Sequence, residues 1–189
     1  MKERSRDIID ILADVVAKTS TDCKITYYDG SDFVEGDCPA ITYCFGNAQY
    51  LKDCLDVNSK TYITTLGKFP LIHLFCPVNE QRNIPGYHSK AKVRLIIACS
   101  THQEYSNEER LAYSFRNVLR PIYRSFLEAL KEDKRLSIAY DETIPHEYSE
   151  NYSFGRYGAL TPSGEEVSEP IDAIFISNLE LIVKLPNCS

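Results

Sequence analysis

Two apolar runs, Phe69 to Cys76 and Lys92 to Ser100, followed by a capped amphipathic helix, constrain this chain more than any other feature. Both runs are rich in Ile, Leu, Val and Phe, as buried strands are, and Pro77 ends the first because it has no N–H for a ladder. Their alternation is imperfect, so both faces of the sheet are expected to be covered. Past Thr101, Ser106-Asn107-Glu108-Glu109 forms a capping box: the serine can accept from the amide of Glu109 while that carboxylate reaches back. From there Leu111, Phe115, Val118, Leu119, Ile122, Phe126 and Leu130 share one face over about 24 residues, or about 36 Å at the helical rise. Pro121 cannot bond the carbonyl of Asn117, which predicts a kink or a break into two helices there.

The remaining elements are shorter. Ile8, Ile9, Leu12, Val15 and Val16 recur at the helical period between Arg4 and Lys18, giving an N-terminal amphipathic helix. Lys24 to Tyr28 and Ala40 to Phe45 are β-prone, and the DGSDFVEGD between them suits a hairpin loop. A short helix is expected from Gly46-Asn47 through Leu55, and a weaker strand from Thr61 to Thr65. RLSIAY after Lys134 can add a strand, and DAIFISNLELIVK one or two more. With 189 residues, no repeat and no shift of composition, one α+β domain spanning 1–189 is expected.

Two segments stand outside this scheme. The loop 77–90, PVNEQRNIPGYHSK, is too long for a tight hairpin and carries the turn pair Pro85-Gly86, so a protruding, partly stiff loop is expected. The segment 141–170 has no clear period, and structureless loops beyond about 15 residues are uncommon in compact domains. Its Tyr148, Tyr152, Phe154, Tyr157 and Leu160 are too aromatic for a solvated linker. An extended arm ordering against a neighbouring subunit is the first reading, a self-packed loop the second and true disorder the third.

Charge and cysteine content exclude several classes. Net charge is −6 and no basic run exceeds two residues, which argues against a protein that grips nucleic acid by its phosphates. Seven cysteines, with no C-x-x-C pair, indicate neither a disulfide framework nor a zinc ribbon but reduced, buried thiols. MKERSRDIID has no apolar signal core and no run approaches a membrane span, so synthesis in a reducing cytosol is expected. Thirteen tyrosines and no tryptophan hint at an extensive half-buried interface, or at Tyr replacing other aromatics in the core.

Candidate chemistry is sparse. Cys99 and His102 could pair as thiol and base, yet a lone C-x-x-H lacks a second metal-ligand pair and the other histidines are scattered. Asp29, Asp32, Glu35 and Asp37 do not follow the spacing of a calcium loop and suit a polar hairpin tip. No phosphate-loop, dinucleotide, serine-hydrolase or zincin motif occurs, so no catalytic residue, metal or cofactor is assigned. Arg116, Arg120 and Arg124, four apart, form a basic line on the long helix: either a solvated face or a contact to an acidic neighbour.

ITYCFGNAQYL, KFPLIHLFCP, PGYHSKAKVRLIIACST, NVLRPIYRSFLEAL and DAIFISNLELIVK, in this order, resemble ring proteins that stack below the portal in crAss-like phages of Bacteroides-type bacteria. The likeness to tail-terminator and tail-completion proteins is more distant. It implies a structural virion protein, without enzymatic activity, in a homo-oligomeric ring that is a dodecamer in crAss-like virions. Such rings stack with other ring proteins, and with portal or tail-hub proteins, into a barrel through which DNA passes as cargo. The implied fold is a mainly antiparallel sheet with helices packed on a face. Localisation would be the virion neck or tail, after assembly in the host cytoplasm. Arg116, Arg120, Arg124, Tyr148, Tyr152, Phe154 and Tyr157 are then the expected intersubunit contacts. A small cysteine-dependent enzyme and a cellular adaptor are the alternatives from other classes.

Overall fold

The computed structural model describes residues 5–28, 31–55, 69–102, 104–137, 143–152 and 171–186. In chain order the described elements are α1 (Ile8–Asp22), β1 (Lys24–Tyr28), β2 (Phe33–Asp37), β3 (Thr42–Gly46), α2 (Ala48–Leu55), β4 (Leu71–Phe75), β5 (Asn79–Arg82) and β6 (Tyr87–Ser100). Then come α3 (Asn107–Arg110), a π-helical segment (Leu111–Leu119), α4 (Arg120–Glu132), β7 (Leu136–Ser137), β8 (Glu147–Asn151) and β9 (Ile171–Lys184). The architecture is α+β with a mostly antiparallel sheet and one long helical run, as the sequence predicts.

The two 14-residue strands β6 and β9 pair antiparallel along their whole length and form the spine of the sheet. Toward Ser100 and Ile171 the spine is flanked by β4 with β3 on one side and by β8 on the other. Toward Tyr87 and Lys184 it is flanked by β5 and β7. Among the described strands only β3 and β4 run parallel. Midway the register slips: Ser177 and Asn178 together face Arg94, and Asn178 takes a left-handed φ of 54°. Such a bulge bends a long ribbon, and asparagine tolerates that backbone better than most residues.

Period-two alternation sends successive side chains to opposite faces. Ile72, Leu74, Leu95, Ile97, Ile174 and Ile176 face the main core, covered by α1, the π-helical segment and α4. Leu71, Ile96, Ala98, Ile171 and Ala173 face a smaller cluster that includes Leu51 of α2. Both faces carry apolar cover, which is why the runs alternate poorly in sequence.

The helices start where the sequence places them. Asp7 caps α1 by accepting from the amide of Ile9, and the Ser106 capping box closes with bonds of 3.2 and 2.8 Å. Across Pro121 the backbone stays helical, with φ near −67° at both Leu119 and Arg120. The interruption takes the form of a hydrogen-bond register: the amide of Arg120 bonds the carbonyl of Phe115, five residues back. Wide turns of this kind are rare and favour functional positions. The wide register ends beside Pro121, a residue with no N–H to give in either register.

Three expectations change. β1 pairs with β2, inside the stretch read as a loop, while β3 joins the main sheet. The loop 77–90 is largely a hairpin: β5 pairs with Ser89–Lys92, and Asn83 and Gly86 take the positive φ that the turn needs. In the arm 141–170, Glu147–Asn151 forms β8 on β9 of the same subunit, so this part is self-packed. The candidate strand Thr61–Thr65 lies outside the described residues, as do Phe154, Tyr157 and Leu160.

Candidate functional site

The arginine line divides on folding. Arg116 and Arg124 are exposed, whereas Arg120 bonds Glu150 of β8 through Nε at 2.8 Å and a terminal nitrogen at 3.1 Å. This two-point fork raises the guanidinium's pKa further. Burial alone would raise the Glu150 carboxyl, yet Arg120 and the Tyr148 hydroxyl hold it below the usual carboxylate range. Tyr148 packs edge-on to Tyr123 at 4.9 Å, and the Tyr123 hydroxyl meets Nε2 of His146 at 2.7 Å. Tyr152 lies on buried Phe115, ring centroids 4.4 Å apart. Arg120 and Tyr148 therefore meet at Glu150, and Tyr152 packs on Phe115, all within one subunit rather than against a neighbour.

The other flank of the π-helical segment carries a feature the sequence reading missed. Tyr28 and Phe33 of the β1–β2 hairpin lie 5.5 Å apart, Phe33 stacks on Tyr113 at 5.3 Å, Tyr113 meets Tyr105 at 5.4 Å, and Tyr105 meets His102 at 4.9 Å. Five rings thus form a continuous row that joins the hairpin to the segment 102–113, remote from it in sequence. Tyr28 is 59% and Phe33 44% exposed. Beside the row opens a cleft of about 390 Å³ whose lining includes Phe69, Tyr105, Tyr113, Ser114 and Val118.

Arg110 fixes the loop that bears the end of this row. Fully buried, it pairs with Asp172 of β9 at 3.0 Å and donates to the carbonyls of His102 (2.7 Å) and Tyr105 (3.1 Å) and to Thr101 Oγ1 (3.3 Å). The charge is compensated by carboxylate and carbonyl oxygens at once, the condition under which a buried arginine is tolerated.

Two of the thiols lie near histidines or near the cleft. Cys99 is buried, and burial, with Asp172 nearby, pushes its thiol up to about 12, so it is held as a neutral S–H. His102 spends its ring on Tyr105. The structure instead pairs Cys44 with His73, cross-strand partners in the parallel β3–β4 ladder, with Sγ 3.0 Å from Nδ1. His73 Nε2 lies 3.3 Å from the carbonyl of Gly46, which assigns Nε2–H as the donor and Nδ1 as the acceptor of the thiol proton. Burial lowers the imidazole to about 4. The pair is a neutral S–H to nitrogen contact at physiological pH, sealed beside Tyr50 and Phe75.

Among the described residues no group of three or more His, Cys, Asp or Glu is arranged to hold a metal ion, and no helix is long and apolar enough to cross a membrane. Asp37, from the acidic cluster, forms an ion pair with Lys24 across the hairpin. No protein-family model and no curated protein matches the chain.

Proposed function

We propose that this chain is a structural subunit of a homo-oligomeric ring in the neck or tail barrel of a tailed phage, without catalytic activity of its own. The observation that carries the assembly half of this reading is the row Tyr28–Phe33–Tyr113–Tyr105–His102, exposed at Tyr28, Phe33 and His102 and half-buried at Tyr113 and Tyr105. Aromatic rings exposed on one continuous surface have the character of subunit interfaces, where they supply large contact area with few torsions to fix. The virion half rests on the resemblance of segment order to crAss-like ring proteins. A net charge of −6 suits a conduit, since a repelled phosphate backbone slides where a gripped one stalls. Partners are further copies of this chain, adjacent rings of the barrel, and DNA in passage.

The test is quaternary. Mass photometry and electron microscopy of the purified protein, alone and mixed with neighbouring barrel proteins, should show closed rings. A chain that stays monomeric in every mixture and is missing from purified particles sinks the proposal.

A further inference from the structure

We propose that Cys23 and Cys38 form a dithiol modification site that a low-molecular-weight disulfide converts to an intramolecular disulfide at the base of the β1–β2 hairpin. The ladder pairs Lys24 with Asp37, and one step further it sets Cys23 opposite Cys38. The amide of Cys38 donates to the carbonyl of Cys23 at 3.1 Å, while the Cys23 amide turns back to the carbonyl of Thr19 at 3.0 Å, so one backbone bond joins the two cysteines. Cα atoms of facing antiparallel residues lie about 4.5–5.5 Å apart, within the roughly 4.4–6.8 Å that a disulfide spans. Both side chains are buried together in the main core, where the thiol of Cys23 donates to the carbonyl of Lys24 at 3.5 Å.

The pairing also sets the order of reaction. Hydrogen bonding from Cys38 favours the thiolate at Cys23, whereas Cys38 is held protonated by that bond and by burial. The Cys23 thiolate attacks one sulfur of the small disulfide RSSR, and RS⁻ leaves. Cys38 loses its proton and attacks the Cys23 sulfur of the mixed disulfide, and a second RS⁻ leaves. Two protein thiols are oxidised to one S–S bond and RSSR is reduced to two RSH. Reaction requires a local opening of the hairpin, a two-stranded sheet of its own whose base residues Cys23, Ile25 and Cys38 pack in the main core. The closed bond would tie the end of α1 to the return strand and so fix the ribbon that carries Tyr28 and Phe33.

The full-length native protein is treated with oxidised glutathione, its remaining thiols are alkylated, and it is digested without reductant. Trypsin cuts after Lys24, between the two cysteines. The expected product links peptide 19–24 to peptide 25–52, lighter than the two reduced peptides by two hydrogens and separated by dithiothreitol, with fragment ions placing the bond at Cys38 and the alkyl group at Cys44. Cys38→Ser should lose this product and trap glutathione on Cys23. A second measurement on the wild type needs no variant: phenylarsine oxide, which bridges two thiols, should bind and be released by a dithiol but not by a monothiol. Stable glutathione adducts on the wild-type pair, bonds to any other cysteine, thiols still reduced after oxidation, or no dithiol-reversible arsenical adduct each overturn the site.

Discussion

The two flanks of the π-helical segment differ in how their side chains are occupied. On the β8 flank Arg120, Glu150, Tyr148, Tyr123 and His146 satisfy one another by forked ion pair, hydroxyl bond and edge-on ring contact. On the hairpin flank Tyr28, Phe33, Tyr113, Tyr105 and His102 touch mainly ring to ring, with Tyr28 and Phe33 strongly exposed. Both are rich in tyrosine, so residue type alone does not separate them. The separation comes from polar partners: Glu150 binds Arg120 and Tyr148, which is still 41% exposed, whereas the contacts along the hairpin flank run ring to ring. For self-assembly the second flank has more to gain, because its apolar area is still in water.

The strongest way to break this contrast is to loosen the loop beneath the hairpin flank. Asp172→Ala leaves the fully buried Arg110 with its carbonyl acceptors but no carboxylate. Losing one partner of a buried pair costs about 3–5 kcal/mol, so the urea midpoint should fall steeply and amides near Thr101–Tyr105 should exchange faster. The β8 network should keep its protection relative to global unfolding. A variant that unfolds at the wild-type urea concentration would show that the carbonyls alone hold Arg110.

How far the sequence foretells these flanks depends on the range of the interactions. Local signals were legible: the Ser106 box, the face running from Phe115 to Leu130, and the strands at Leu71–Phe75 and Ile171–Lys184 each follow from nearby residues. The aromatic row was not, since it needs β1 to pair with β2, and Asp and Gly in DGSDFVEGD outweighed the β-prone Phe33 and Val34. Cys44 and His73 meet only through a parallel pairing, whose long connection leaves no trace in residue spacing. The arginine line was legible as a line but not as a site: Glu150, the residue that claims Arg120, lies 30 positions away.

The next effect separates the flanks by association rather than by folding. Phe33→Asp places a charge in the row and removes its two ring contacts, at about 1 kcal/mol each for the monomer. If the row is a subunit contact, association should weaken by about 2 kcal/mol, roughly 30-fold, measured by concentration-dependent mass photometry. Arg124→Ala, on an exposed position of α4, serves as the comparison and should change association far less. The reverse ranking would return the interface to the arginine line.

The smallest effect is a pH dependence confined to the β8 flank. The folded pKa of Glu150 lies below its ordinary value, so the group stabilises the fold above the usual glutamate range, near about 4.3. That contribution is lost as pH falls through this range toward the lowered folded value, because the unfolded chain takes up the proton first. With Arg120 and Glu150 partly exposed, solvent screening limits the contribution to about 1 kcal/mol. Glu150→Gln should therefore narrow the stability gap between pH 6 and pH 3 by about that amount. Denaturant titrations at the two pH values read it directly. An equal gap in both proteins would mean that Arg120 gains no more from the carboxylate than from a neutral amide, and that the self-satisfied flank is held by its rings.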